Sequence, residues 1–444
     1  MAKPLVAIVG RPNVGKSTFF NRISGSKISI IEDTPGVTRD RIYADGEWLN
    51  HSFTMVDTGG IDMNAEDVIL SQMRYQAQLA IDSADVILFF TDAQSGLVSE
   101  DYAVADILRK TEKPVIVVAN KVDNKAAEEN MYDFYSLGIG DVMPISAAQG
   151  LGIGDLLDAV TDNFPSPEEY EDDETFKIAF VGKPNVGKSS LTNKILGEKR
   201  VIVSDIPGTT RDAIDTLFEK NGIKYTLIDT AGLRRKSKID AKTIERYSAI
   251  RTLNAIRRAD VVVMMIDAGD GITEQDVKIA GYVDSEGKPC VICVNKWDSI
   301  EKDTHTIEKY KKDISIDLTF MAYAETVFIS ALTGQRIDKL FDACHKAKQN
   351  AEKRITTGVL NDCISDAITA VAPPSDKGRR LKIFYATQVS VCPPTFLLFV
   401  NDPNLLHFSY LRYLENYLRK TFDFSGTPVK ILAREKENNK DDMR

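Results

Sequence analysis

The segment GRPNVGKS at residues 10–17 returns almost unchanged as GKPNVGKS at 182–189. Both have the form GxxxxGK[ST]. Glycine in such a loop lets the backbone wrap a phosphate, several N–H groups then point inward, and a helix N-terminus adds its positive end. A solitary match is short enough to arise by accident; two, each after an apolar strand-like run and before a helical pattern, are not. The chain therefore has to build the strand–loop–helix unit twice, and at 444 residues it is long enough for two to four domains.

The repeat extends far beyond the loop. The same offset of 172 residues relates DTPGVTRD (33–40) to DIPGTTRD (205–212) and DTGG (57–60) to DTAG (229–232). ADVILFFTDA from Ala84 and ADVVVMMIDA from Ala259 are then 175 apart, as are NKVD (120–123) and NKWD (295–298), so three residues are inserted after the second DxxG. Ser146-Ala147 and Ser330-Ala331 close the series at an offset of 184. Order is kept while loop lengths change, which is a duplicated domain and not a solenoid.

Within each copy, continuous Val/Ile-rich runs alternate with helical patterns, as in LVAIVG, DVILFFTDA and PVIVVAN. That alternation indicates a parallel sheet covered on both faces, hence two doubly wound α/β domains. We expect the first at 1–163 and the second at 176–352, with FPSPEEYEDDET (164–175) between them as an acidic, solvated linker. From residue 353 to 444 the repeat has no counterpart and the pattern becomes α+β. LKIFYATQV (381–389), TFLLFVN (395–401) and PVKILA (428–433) read as strands, and Leu411, Leu414, Leu418 and Phe422 recur at helical spacing.

The loops carry chemistry. Gly10, Gly15, Lys16, Ser17 and Thr18, and in the second copy Gly182, Gly187, Lys188, Ser189 and Ser190, form the phosphate cradle, with each Lys reaching the β/γ-phosphates and Ser17 and Ser189 offering hydroxyls to Mg²⁺. Asp57 and Asp229 would hold that ion through water, while the N–H groups of Gly60 and Gly232 face the γ-phosphate. Thr38 and Thr210 are placed to ligate Mg²⁺ and order their loop in the triphosphate state. Lys16, Thr38, Gly60, Lys188, Thr210 and Gly232 are thus the candidate catalytic groups. The choice between ATP and GTP falls to NKxD. Asp123 and Asp298 accept from two guanine donors that adenine lacks, Asn120 and Asn295 brace ring and loop, and Lys121 and Lys296 lay their stems along the ring. Ser146-Ala147 and Ser330-Ala331 follow the next strand, where a backbone N–H can meet the guanine oxygen.

Composition removes other classes. Hydrophobic content of 43% with 27% charged residues is that of a globular protein, and no stretch approaches membrane-spanning length. Five cysteines make no disulfide framework and suit a reducing cytosol. Cys290 and Cys293 form CxxC within a strand pattern, which puts them on opposite faces, unsuited to a shared metal. The four histidines are scattered without ligand spacing. Net charge is −9 overall, yet residues 353–444 carry fourteen Lys/Arg against ten Asp/Glu, including KGRRLK (377–382) and Arg419-Lys420. These runs read either as RNA phosphate contacts or as a solvated rim, and RRKSK (234–238) either as a nucleotide-sensitive basic patch or as ordinary exposed charge.

Taken together, these motifs resemble the translation-factor-related GTPases, and the tandem arrangement with a C-terminal α+β module is similar to the Der (EngA) family over nearly the whole chain. The resemblance implies two P-loop GTPase domains followed by a small KH-like domain, binding of GTP and GDP with Mg²⁺, and action in maturation of the large ribosomal subunit through that subunit and its rRNA. It leaves room for an activating protein. We expect a cytoplasmic monomer with no membrane partner. After DxxG stand Ile61 and Leu233 in place of a water-orienting Gln, so unaided hydrolysis is expected to be slow. Related GTPases with this feature and an Asn in the P-loop use K⁺, which implies K⁺ near Asn13 and Asn185; the residues by themselves read equally well as turn formers after Pro. No GxxG clamp of the RNA-gripping type is visible in the third domain.

Overall fold

The computed structural model describes residues 4–24, 43–49, 51–57, 77–78, 80–81, 84–123, 131–165, 175–197, 201–203, 215–228, 251–373, 375–376 and 379–436. They fall into two compact units, the first holding the first copy of the repeat and the second holding the second copy with the C-terminal segment.

In the first unit, β1 (Leu5–Val9), α1 (Lys16–Ser24), β2 (Tyr43–Trp48), β3 (His51–Asp57), β4 (Val86–Asp92), α2 (Ser99–Leu108), β5 (Val115–Asn120), β6 (Val142–Pro144) and α3 (Ile153–Asp162) follow one another along the chain. The sheet order is β2-β3-β1-β4-β5-β6. Successive side chains of a strand point to opposite faces, so a strand covered on both sides must be apolar throughout. β4 meets that condition over VILFF; all seven residues of VILFFTD are buried, and the polar pair Thr91 and Asp92 at its end is hydrogen-bonded. Phe89 belongs to the core on one face and Phe90 to the core on the other. Both are fully inaccessible, and truncating either to Ala would remove about 3–5 kcal/mol. Helix α3 buries Ile153, Leu156, Leu157 and Val160, one stripe at helical spacing.

The second unit repeats the plan with β7 (Phe176–Val181), α4 (Lys188–Leu196), β8 (Val201–Val203), β9 (Thr216–Lys220), β10 (Ile223–Ile228), β11 (Val261–Asp267), α5 (Glu274–Ser285), β12 (Cys290–Asn295), α6 (Thr306–Asp317), β13 (Glu325–Phe328) and α7 (Ile337–Glu352). Its order is β13-β12-β11-β7-β10-β9-β8. Cys290 lies in the core on one face of β12 and Cys293 in the core on the other, as strand alternation requires. Burial pushes the Cys290 thiol up to about 12 and the Cys293 thiol higher still.

Both sheets depart from the wholly parallel reading at one edge. β2 runs antiparallel to β3, and β9 runs antiparallel to both β8 and β10. The turn between β9 and β10 is Asn221-Gly222, both residues with positive φ (54° and 79°). Asn-Gly is the dipeptide that a tight hairpin prefers.

The C-terminal segment contains α8 (Thr357–Ala370), a two-residue strand pair β14 (Ser375–Asp376) and β15 (Arg379–Arg380), then β16 (Ile383–Ser390), β17 (Thr395–Val400), α9 (Phe408–Phe422) and β18 (Lys430–Glu435). β16 and β17 are antiparallel and β17 and β18 parallel, the long return being made by α9. One face of this sheet packs Ala386, Phe396, Leu398 and Ile431 against Leu360, Ile364, Leu414 and Leu418. Helix α8 is an addition to the elements expected above, its buried stripe formed by Leu360, Cys363, Ile364 and Ala367.

This segment is fastened to the second copy by main chain. Gly426 donates to the Tyr323 carbonyl (2.7 Å) and accepts from the Cys290 N–H (2.8 Å), while Asn350 Nδ2 donates to the Ser425 carbonyl at 2.7 Å. Arg419 is committed here as well, donating to the carbonyls of Phe424 and Thr427 and to Glu415, with its guanidinium over the Tyr323 ring. The basic pair at 419–420 is therefore half structural. No helix among the described residues is long and apolar enough to cross a membrane.

Gly426 has φ +80°, and a Cβ there would stand 2.6 Å from the Ala347 Cβ. Gly426→Val is expected to cost about 2 kcal/mol through clash and backbone strain. Urea unfolding should show the loss, with the C-terminal segment becoming protease-sensitive at lower denaturant than the rest.

Candidate functional site

Each phosphate loop is closed by its own lysine. Lys16 Nζ donates to the carbonyls of Gly10 (2.6 Å) and Arg11 (2.7 Å), and Lys188 Nζ to those of Gly182 (2.6 Å) and Lys183 (2.8 Å). Burial in the loop lowers both ammonium groups to about 8, opposed for Lys16 by Asp57 and for Lys188 by Asp276. In the first copy Ser17 Oγ donates to Asp57 Oδ2 at 3.0 Å. A hydroxyl and a carboxylate converging beside the loop suit a small hard cation bound directly by one and through water by the other. Asn13 and Asn185 crest the two loops, exposed and left-handed at φ 66° and 64°, a conformation Asn tolerates better than most residues. Thr18 and Ser190 are exposed in the first turns of α1 and α4.

The NKxD asparagines tie the site together. Asn120 Nδ2 donates to the Val14 carbonyl at 2.7 Å and its Oδ1 accepts from the Ala147 N–H at 2.9 Å. Asn295 does the same with Val186 (2.7 Å) and Ala331 (2.9 Å). One buried amide in each copy therefore links phosphate loop, NKxD and SA turn. The packing is close enough to dictate the loop glycine: a Cβ on Gly15 or Gly187, both at positive φ, would meet that amide nitrogen at 2.2 Å.

Lys121 and Lys296 are held at φ 68° and 59° and pair with Asp92 (2.6 Å) and Asp267 (2.5 Å). Burial works against the charged form of each aspartate, but the hydrogen bond from its lysine, reinforced by backbone N–H groups, keeps it below the usual carboxylate range. These two aspartates were missed in the sequence; their signal is the TDA and IDA that end the two matching strands. Asp123 is exposed and accepts from Gln94 at 3.4 Å. Asp298 is exposed too, and the Ser330 hydroxyl holds its carboxyl below the ordinary value. Ser146 and Ser330 are fully buried and cap their own turns, accepting from the N–H of Gln149 and of Thr333.

The second residue of each loop makes a further connection. Arg11 reaches Ser95, the Gly96 carbonyl and buried Asp101, while Lys183 pairs with Asp270 at 3.0 Å and Asp276 at 3.7 Å. Thr38, Gly60, Thr210, Asp229 and Gly232 lie outside the described residues, as do Ile61, Leu233 and the RRKSK run. Among the described residues no group of three or more His, Cys, Asp or Glu is arranged to hold a metal ion.

Residues 5–121 and 177–296 match the family described as 50S ribosome-binding GTPase, and residues 354–434 match the C-terminal KH-domain-like segment of EngA bacterial GTPase enzymes. The chain is 59% identical to the GTPase Der of Alkaliphilus oremlandii, covering 98% of this chain and 99% of that one. It is 58% identical to the GTPase Der of Clostridium tetani, over 98% of this chain and 100% of the other. Among solved structures, a point variant of Aquifex aeolicus Era bound to GDP and AlF4⁻ is 23% identical, covering 59% of this chain and 93% of that chain at a TM-score of 0.30.

A bound phosphate raises the pKa of a lysine it contacts, so nucleotide binding takes up protons once the empty-site lysine has begun to titrate. GDP affinity is accordingly expected to be level between about pH 7 and 7.5, where the terminal phosphate is fully ionised, and to fall as pH rises past about 8, where Lys16 and Lys188 lose their charge. Calorimetry in two buffers of different ionisation enthalpy would detect the uptake. A profile that stays flat to pH 8.8 contradicts this assignment.

Proposed function

The chain belongs to the GTPase Der family, and from that premise we propose that it is a two-site, nucleotide-gated switch that binds the large ribosomal subunit and its rRNA during subunit biogenesis. It is a GTPase; hydrolysis resets the switch and yields no product used elsewhere. The observation that carries the reading is the twofold amide bridge of Asn120 and Asn295, which links phosphate loop, NKxD and SA turn in each copy. The ribosome partner is supported by the family description matched on both copies and by the exposed Arg379 and Arg380 of a C-terminal segment with surplus positive charge. We retain 1–163, 176–352 and 353–444 as the three functional modules, with the acidic 164–175 joining the first two, and a cytoplasmic monomer as the working form.

Mg²⁺ would be held by Ser17 and Asp57 in the first site and by Ser189 and Asp229 in the second, with Thr38 and Thr210 joining in the GTP state. When bound, the ion would supply Lewis-acid neutralisation of phosphate charge. Lys16 and Lys188 stabilise the same developing charge, with the N–H groups of Gly60 and Gly232 on the γ-phosphate. K⁺ at Asn13 and Asn185 would supply positive charge beside the phosphates in sites where Ile61 and Leu233 cannot orient the attacking water.

GTP turnover is expected to run several-fold faster in KCl than in NaCl, and Asn13→Ala with Asn185→Ala should abolish that difference; equal rates in both salts would remove K⁺ from the mechanism. Co-sedimentation with purified large subunits, compared between GDP and a non-hydrolysable GTP analogue across a salt series, tests the partner. Binding that depends on the analogue and weakens with salt is expected. Absence of binding in every nucleotide state refutes the ribosomal role and leaves the GTPase.

A further inference from the structure

The two SA turns are supported differently. In the first, Arg22 in the last turn of α1 donates from Nε to the Ala147 carbonyl at 2.8 Å and from Nη2 to the Ala148 carbonyl at 2.6 Å. Its guanidinium is pressed against the turn, since a Cβ on Gly150 would stand 2.6 Å from Nη1. At the matching position, 172 residues on, the second copy has Lys194. Its stem crosses the equivalent turn, 2.8 Å from where a Gly334 Cβ would be, but its ammonium makes no hydrogen bond or ion pair among the described residues.

The bond to Ala147 has a directional effect. The Ala147 carbonyl and the Ala148 N–H belong to one peptide unit, and in a trans peptide they point opposite ways. Fixing the carbonyl from the α1 side therefore aims the N–H to the other side, and withdrawing electron density through the carbonyl strengthens it as a donor. The Ala147 N–H is already given to Asn120 and the Gln149 N–H to Ser146. The Ala148 N–H is the remaining donor of the turn. A planar fork with two donors holds such a unit better than a single flexible ammonium.

We infer that Arg22 is a positioning residue for guanine recognition in the first site, aiming the Ala148 N–H at the 6-oxo group, and that the second site, with Lys194, reads that oxygen more loosely. This rests on the SA turns being guanine-reading elements, as proposed above. The nucleotide sites are thereby unequal in base discrimination although their phosphate loops are nearly identical.

Single-site proteins separate the two, with Lys188→Ala leaving the first site and Lys16→Ala the second. Each is titrated with GDP and with 6-thioguanosine diphosphate, which keeps both ring donors and replaces the oxygen by a weakly accepting sulfur. The first site is expected to prefer GDP over the thio compound more strongly than the second. Arg22→Ala should weaken GDP about fivefold at the first site while leaving the thio compound nearly unchanged, Arg22→Lys should fall between, and Lys194→Arg should raise the preference at the second site. Equal weakening of both ligands, or an unchanged GDP affinity, overturns the inference, because a general support of α1 would not distinguish oxygen from sulfur. If neither unsubstituted site separates the two ligands, the guanine reading of the SA turns falls and takes the inference with it.

Discussion

A single buried side-chain amide, used twice, is the interaction on which the rest of each nucleotide site depends. Asn120 and Asn295 stand at the ends of β5 and β12 and convert the positions of those strands into the positions of two loops that are distant in sequence. An unpaired amide in such a place would cost about 1–3 kcal/mol, so both loops are held to it by the penalty of leaving it unsatisfied. The same amide explains why the second glycine of the motif tolerates no side chain, and why the loop and the base site cannot move apart independently.

The comparison of the two copies within one chain separates constraint from drift. Lysine-to-carbonyl, amide-to-carbonyl and lysine-to-aspartate distances agree between copies to within about 0.1 Å, because each is set by backbone that the strands position. The rims agree at depth and differ at the surface: Arg11 and Lys183 reach the matching buried aspartates Asp101 and Asp276, but Arg11 adds Ser95 and the Gly96 carbonyl where Lys183 pairs with Asp270, and Arg22 grips a turn that Lys194 only passes. Groups that solvent can screen or replace are free to vary, whereas buried polar groups are not.

Much of this is legible in the amino-acid sequence. Short apolar runs such as VILFF and CVICV, bounded by glycine-rich loops, read as strands buried on both faces, and their alternation with helical patterns indicates a doubly wound sheet. The hairpin edges were less visible, since YADGEW and TLFEK are neither wholly apolar nor strictly alternating and only Asn221-Gly222 betrays one of them. In the sites, residue types announced the phosphate and base loops, but Asp92, Asp267 and Arg22 act through tertiary proximity, and a lone aspartate or arginine carries no local pattern. The Arg419-Lys420 pair shows the opposite failure: charge adjacent in sequence looked like surface, while Arg419 spends its donors on interior carbonyls.

Strand β12 is a strut with a different load at each end. Its first residue, Cys290, is hydrogen-bonded to Gly426 of the C-terminal segment, and its last, Asn295, carries the amide that organises the second nucleotide site. A six-residue strand spans about 20 Å, is bonded on both sides within the sheet and has little compliance along its axis. The C-terminal segment therefore behaves as an outrigger of the second nucleotide site, carried rigidly with it and inheriting its orientation.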